Sequence, residues 1–122
     1  MPYVRVLIID DNEDLTGSLK MCLEGEGFEV AVAANGEQAL KHLERSAADV
    51  VVTDLFMPDK DGIETIMELR NRYPRCKIIA MSGWTSLQGS DYLSVARELG
   101  ALHTLTKPFD PSQLTRLLRG LG

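Results

Sequence analysis

The chain has 122 residues, 44% of them apolar and 25% charged, which suits one globular domain with a single core. Its formal net charge of -5 argues against a nucleic-acid binder, which usually shows a basic face. No apolar run approaches the ~20 residues of a membrane span, and Met1-Pro2-Tyr3 leads into a strand with no secretion signal, so a cytoplasmic protein is expected.

Strand and helix patterns alternate along the whole chain, as in an α/β fold with a mainly parallel, doubly wound sheet. The first strand runs over Val4–Ile9 into Asp10-Asp11. Leu15, Leu19, Cys22 and Leu23 then recur at helical spacing until Gly25 and Gly27 stop them. Phe28–Ala33 reads as the second strand, and Asn35 as an N-cap with Gln38 as capping-box partner ahead of Ala39, Leu40 and Leu43. Val50–Asp54 is the most apolar strand and is placed at the centre. A loop through Leu55–Gly62 precedes a helix begun by Ile63, Ile66 and Met67 and ending before Pro74.

Lys77–Met81 is the fourth strand, followed by a longer loop over Gly83–Gly89. Tyr92, Val95, Ala96 and Leu99 make the stripe of a fourth helix, closed by Gly100. Leu102–Thr106 is the fifth strand. Asp110-Pro111 supplies an N-cap and first-turn proline for a fifth helix carrying Leu114, Leu117, Leu118 and Leu121. Cys22 and Cys76 have no metal or redox spacing and are expected to be reduced, Cys22 as a small core residue and Cys76 in a charged loop before its strand.

Each buried strand hands over a chemically capable residue at its carboxyl end: Asp10-Asp11, Asp54, Ser82-Gly83 and Lys107-Pro108-Phe109. In an open parallel sheet ligands bind at that edge. If the first and third strands are neighbours, Asp10, Asp11 and Asp54 converge. Two such charges ~4 Å apart repel by about 4 kcal/mol at an effective dielectric of ~20, so the cluster must protonate, loosen or bind a cation. An all-oxygen donor set favours a hard cation, and Mg²⁺ suits a few carboxylates with waters and a phosphate. Taken alone, Asp10-Asp11 reads equally well as an exposed loop start and helix cap, and Lys107 as a solvated strand-end lysine.

The set IIDD, VVTDLFMPDKDG, IIAMSG and LTKPF, in order and each at a strand end, resembles the receiver domain of two-component response regulators over essentially the whole chain. The resemblance implies a flavodoxin-like strand order 2-1-3-4-5 with five helices. It implies that Asp54 takes a phosphoryl group from a phosphohistidine on a sensor histidine kinase or histidine phosphotransfer protein. Asp10, Asp11, Asp54 and the main-chain carbonyl of Phe56 would serve Mg²⁺, with Asp10 acting largely through a coordinated water. Lys107 would neutralise phosphoryl oxygens, its bond to Pro108 cis. Ser82 would be the hydroxyl that moves onto the phosphoryl group, with Gly83 leaving room for entry. Met57-Pro58 and Asp61-Gly62 match the loop after the acceptor, Gly62 supplying an unusual backbone angle, while Asp59 and Asp61 are solvated loop charges.

The chain departs from that pattern at Thr104, where an aromatic usually stands three residues before the lysine. The neighbouring His103 reads as a strand-edge histidine. Phe56 and Trp84 are large and apolar where family members vary, and are expected to wall the phosphoryl group from water, the competing reading being that Trp84 packs on a partner protein. Activation is expected to move Ser82 and the loop through Trp84, changing the affinity of the fourth helix, fifth strand and fifth helix for an unknown downstream protein.

A haloacid-dehalogenase-like phosphatase would need an aspartate two residues after the nucleophile, and Phe56 stands there. An adaptor signalling without phosphate would commonly have lost an acidic residue, the acceptor or the lysine, and all are present. The reading is therefore one receiver domain over 1–122 with no output domain, a free-standing regulator that is a monomer or weak dimer and contacts neither nucleic acid nor membrane.

Overall fold

The computed structural model describes residues 4–55, 62–83 and 94–121. The strands are β1 (Arg5–Ile9), β2 (Glu29–Ala33), β3 (Val50–Asp54), β4 (Lys77–Gly83) and β5 (His103–Lys107). All neighbours pair in parallel, in the order β2-β1-β3-β4-β5. The helices are α1 (Glu13–Gly25), α2 (Gly36–Arg45), α3 (Gly62–Arg72) and α5 (Pro111–Leu121), with α4 described over residues 94–98. No helix among the described residues is long and apolar enough to cross a membrane.

The strand alternation builds two cores. Leu7, Ile9, Val51, Ile78 and Ala80 face α2, α3 and α4, meeting Ala39, Leu40, Ile66, Leu69 and Ala96. Val6, Ile8, Val50, Val52, Ile79, Met81 and Leu105 face α1 and α5, meeting Leu19, Leu23, Leu114 and Leu118. Because both faces are covered, β3 is buried at every residue, which is why it opens on the unbroken apolar run Val50-Val51-Val52. Each such leucine, isoleucine or valine contributes roughly 1.5–3 kcal/mol by leaving water.

Local chemistry sets the boundaries. Gly27 and Gly100 adopt positive φ, +97° and +117°, and each closes its helix with a Schellman pair. In α1 the bonds are Gly27 N–H to Glu24 O and Phe28 N–H to Leu23 O; in α4 they are Gly100 N–H to Arg97 O and Ala101 N–H to Ala96 O. Asn35 caps α2 by accepting from Gln38 N–H at 2.9 Å. Gln38 reaches back to the N–H of Ala34 rather than to that of Asn35, so the box closes one residue earlier than expected.

Several sequence expectations are corrected. β4 extends two residues beyond Met81 to take in Ser82 and Gly83, and β5 runs one residue later than expected, ending on Lys107. Cys22 is exposed rather than a core residue, while Cys76, which precedes its strand as expected, is buried. In α1 the buried residues are Thr16, Leu19 and Leu23, and Cys22 lies about a quarter-turn off that line. In α3 the buried stripe is Gly62, Thr65, Ile66 and Leu69, and Met67 is exposed. Val95 is likewise largely exposed, and in α4 Ala96 is the buried residue.

Candidate functional site

The chain steps outward from β1 to β2, then crosses to the other side of β1 for β3. A crevice opens at the carboxyl ends of β1 and β3, where the connections diverge. Ile9 pairs in register with Thr53, so the next residues, Asp10 and Asp54, arrive side by side. Both are nearly buried, at 2% and 5% exposure, whereas Asp11 points to solvent at the rim. Oxygens of Asp10, Asp11 and Asp54 all lie within 4.8 Å of one another.

Lys107 enters from the outer strand β5. Its Nζ lies 2.5 Å from Asp10 Oδ2 and 3.6 Å from Asp54 Oδ2. Asp10 is held from its other side too, Oδ1 accepting the N–H of Asn12 at 3.0 Å, while Asn12 caps α1 by accepting from Leu15 N–H. Asp10 is thus the closer partner of the lysine, a role that sequence reasoning did not assign. The Lys107-Pro108 bond is cis. The ring of Phe109 is partly buried against the core shared by α1 and α5.

Ser82 is buried, and its hydroxyl donates to the Gly83 carbonyl at 3.0 Å. A β-carbon on Gly83 would meet no atom of the described residues within 4 Å. Thr53, also missed in the sequence, is fully buried and donates its hydroxyl to the Asp54 carbonyl at 3.0 Å. Gly62 plays a different part from the one expected. Its φ is not positive; instead a β-carbon there would come 2.2 Å from the Asp54 carbonyl oxygen and 2.5 Å from Leu55 Cα. Only a residue without a side chain lets α3 start that close behind the acidic cluster. The Phe56 carbonyl, the loop through Asp59 and Asp61, and Trp84 lie outside the described residues.

Three carboxylates meet the Lys107 ammonium at this crevice among the described residues. Such an oxygen-only donor set fits a hard divalent ion such as Mg²⁺.

Residues 6–119 match the response regulator receiver domain. The chain belongs to that family. It is 39% identical over 118 residues to the transcriptional regulatory protein CpxR of Klebsiella pneumoniae, covering 96% of this chain and 48% of that protein. It is 31% identical to the alkaline phosphatase synthesis transcriptional regulatory protein PhoP of Bacillus subtilis, with the same coverage of 96% and 48%. The chain spans about half the length of these curated relatives.

Among solved structures it is similar to a CheY-like receiver domain protein from Methanospirillum hungatei, with TM-score 0.87, 29% identity, and 98% and 93% of the two chains covered. It is also similar to the beryllofluoride-activated NtrC4 receiver domain dimer, with TM-score 0.86, 32% identity, and 96% and 94% covered. The protein is a receiver domain of two-component signalling. Receiver domains generally use Mg²⁺ at an acidic pocket, and this chain carries the corresponding aspartate cluster.

Proposed function

We propose that Asp54 is the phosphoacceptor, taking a phosphoryl group from the phosphohistidine of a sensor histidine kinase or a histidine phosphotransfer protein. A carboxylate oxygen of Asp54 attacks phosphorus, the P–N bond breaks, and its electron pair leaves with the imidazole. The observation that carries this reading is the placement of Asp54: buried at the crevice of the sheet, with Asp10 and Asp11 beside it and the Lys107 ammonium 3.6 Å away.

Phosphoryl transfer asks little covalent chemistry of a protein, so positioning and charge neutralisation dominate. Asp10, Asp11, Asp54 and the Phe56 carbonyl are the residues that would hold Mg²⁺, which when bound neutralises phosphoryl oxygens. Lys107 supplies the second positive group. It leaves the Asp10 and Asp54 carboxylates for the incoming oxygens. Ser82 turns its hydroxyl from the Gly83 carbonyl to the phosphoryl group, and the α4, β5 and α5 surface changes its affinity for a protein partner.

The catalysis is confined to the domain's own phosphorylation and dephosphorylation. The described residues are read as a single receiver domain, and its acidic balance of -5 favours protein partners over nucleic acid. Incubation with acetyl phosphate and Mg²⁺, followed by intact mass, tests the assignment. One phosphate on the wild type and none on Asp54→Asn is expected. Equal incorporation in both would overturn it.

A further inference from the structure

Thr104 lies on the outer strand β5, where the family pattern has an aromatic ring. Arg97 of α4 occupies its company instead: Nη2 donates to Thr104 Oγ1 at 3.0 Å. The chain between them is tightly defined. Gly100 turns it through the Schellman closure, and Leu102 N–H bonds Ile78 O at 2.8 Å as β5 joins the sheet. Arg70 of α3 braces the same turn. A β-carbon on Gly100 would come 2.8 Å from its Nε, and its Nη1 donates to the Pro74 carbonyl at 3.2 Å. The carboxyl end of α4 is therefore seated on α3, and Arg97 ties it across to the strand.

That strand leads into the site. Thr104 and Thr106 share a face of β5; Thr106 pairs in register with Ser82, and Lys107 with Gly83. In the structure the Ser82 hydroxyl is turned to its neighbouring carbonyl, and Lys107 is engaged by Asp10 and Asp54. In the same structure Arg97 holds Thr104.

We propose that the Arg97–Thr104 hydrogen bond is a latch that keeps α4 on β5 in the resting protein and restrains phosphorylation of Asp54. The inference deepens the proposed function and rests on Asp54 being the acceptor. A bond made in only one of two conformers biases the population toward that conformer by its own free energy. A net hydrogen bond of ordinary strength corresponds to a shift of about three- to tenfold.

Thr104→Val keeps the shape and removes the acceptor, Thr104→Ser restores the hydroxyl, and Arg97→Ala removes the donor. Two readouts are needed: the rate of phosphate incorporation from acetyl phosphate with Mg²⁺, and hydrogen exchange of residues 94–104 in the unphosphorylated protein. Thr104→Val and Arg97→Ala are each expected to speed both by about three- to tenfold. The double variant should match either single one, and Thr104→Ser should match the wild type. Unchanged incorporation in variants of a wild type that does take phosphate overturns the latch alone. Additive effects, or faster exchange without faster incorporation, do the same. No incorporation by the wild type overturns the acceptor assignment, and the proposal falls with it.

Discussion

Gly62 stands directly behind Asp54: a β-carbon on the glycine would approach the aspartate's carbonyl oxygen to 2.2 Å. The clash is with backbone on both sides, since Leu55 Cα is only 2.5 Å away, and Gly62 N–H also bonds the Leu55 carbonyl. Neither partner is the far end of a flexible side chain. The start of α3 and the end of β3 are therefore fixed against each other, and Asp54 is positioned by a missing side chain as much as by the ones present.

Gly62→Ala is accordingly expected to lower the unfolding free energy by about 1–3 kcal/mol, the usual range for overpacking a tight site. It should also slow phosphate incorporation at Asp54. Urea denaturation checks the first effect and acetyl phosphate labelling the second. An alanine variant with unchanged denaturation midpoint would refute the contact.

Mg²⁺ should stabilise the wild type and so raise its thermal midpoint, the stabilisation growing with concentration and reaching about 2.7 kcal/mol at roughly a hundred times the dissociation constant. Asp11→Asn removes one of the crowded carboxylates. In chelator it should be no less stable than the wild type, because repulsion is relieved, yet it should gain less from added Mg²⁺. Melts in chelator and across a Mg²⁺ series separate the two effects.

The two cysteines should behave oppositely. Cys22 is exposed, whereas burial, and then the charge of Asp49, push the Cys76 thiol up to about 11 from its ordinary 9.0. Timed alkylation near neutral pH should modify Cys22 first and leave Cys76 nearly untouched. The folded state holds the Cys76 proton more tightly than the unfolded chain does. Its contribution to stability is therefore complete below pH 9.0 and is lost as pH rises toward about 11. Denaturation midpoints of the wild type and Cys76→Ala across that window should converge as the pH rises.

Asp110 caps α5. Its Oδ1 accepts the Ser112 N–H at 2.9 Å, and Gln113 returns a bond to the Asp110 N–H at 2.9 Å. The Ser112 backbone and side-chain hydrogen bonds hold its carboxyl below its ordinary value of 3.8. The cap is thus fully present above that value and is lost as pH falls through the lowered one. Asp110→Ala should lose helicity in α5 at neutral pH, and Asp110→Asn should keep most of it. Amide exchange over residues 111–121 measures both.

Much of this was legible in the chain. The inner strands β1, β3 and β4 are largely apolar because both sheet faces are covered, and Asp10, Asp54, Ser82 and Lys107 lie at or next to the carboxyl ends of strands. What was not legible depends on rotation and approach. A stripe such as Leu15, Leu19, Cys22 and Leu23 leaves the helix's exact roll undetermined, and the observed roll buries Thr16 and exposes Cys22. The Asp110–Gln113 capping box was readable from its spacing and was only half read. The closeness of Lys107 to Asp10, the brace of Arg70 on Gly100 and the Arg97–Thr104 bond arise only once separate elements meet.

Lys107 and Asp10 are 97 residues apart, and their bond joins the first strand's end to the last strand's end. Between them the sheet must be complete, since β3 and β4 lie between β1 and β5. No contiguous fragment short of nearly the whole domain can assemble both groups. On the proposed acceptor chemistry, acceptance of phosphate is in this sense a checksum on the chain from Asp10 to Lys107: a molecule that takes the group has already proved its topology, and a partly folded one stays silent in the signalling circuit.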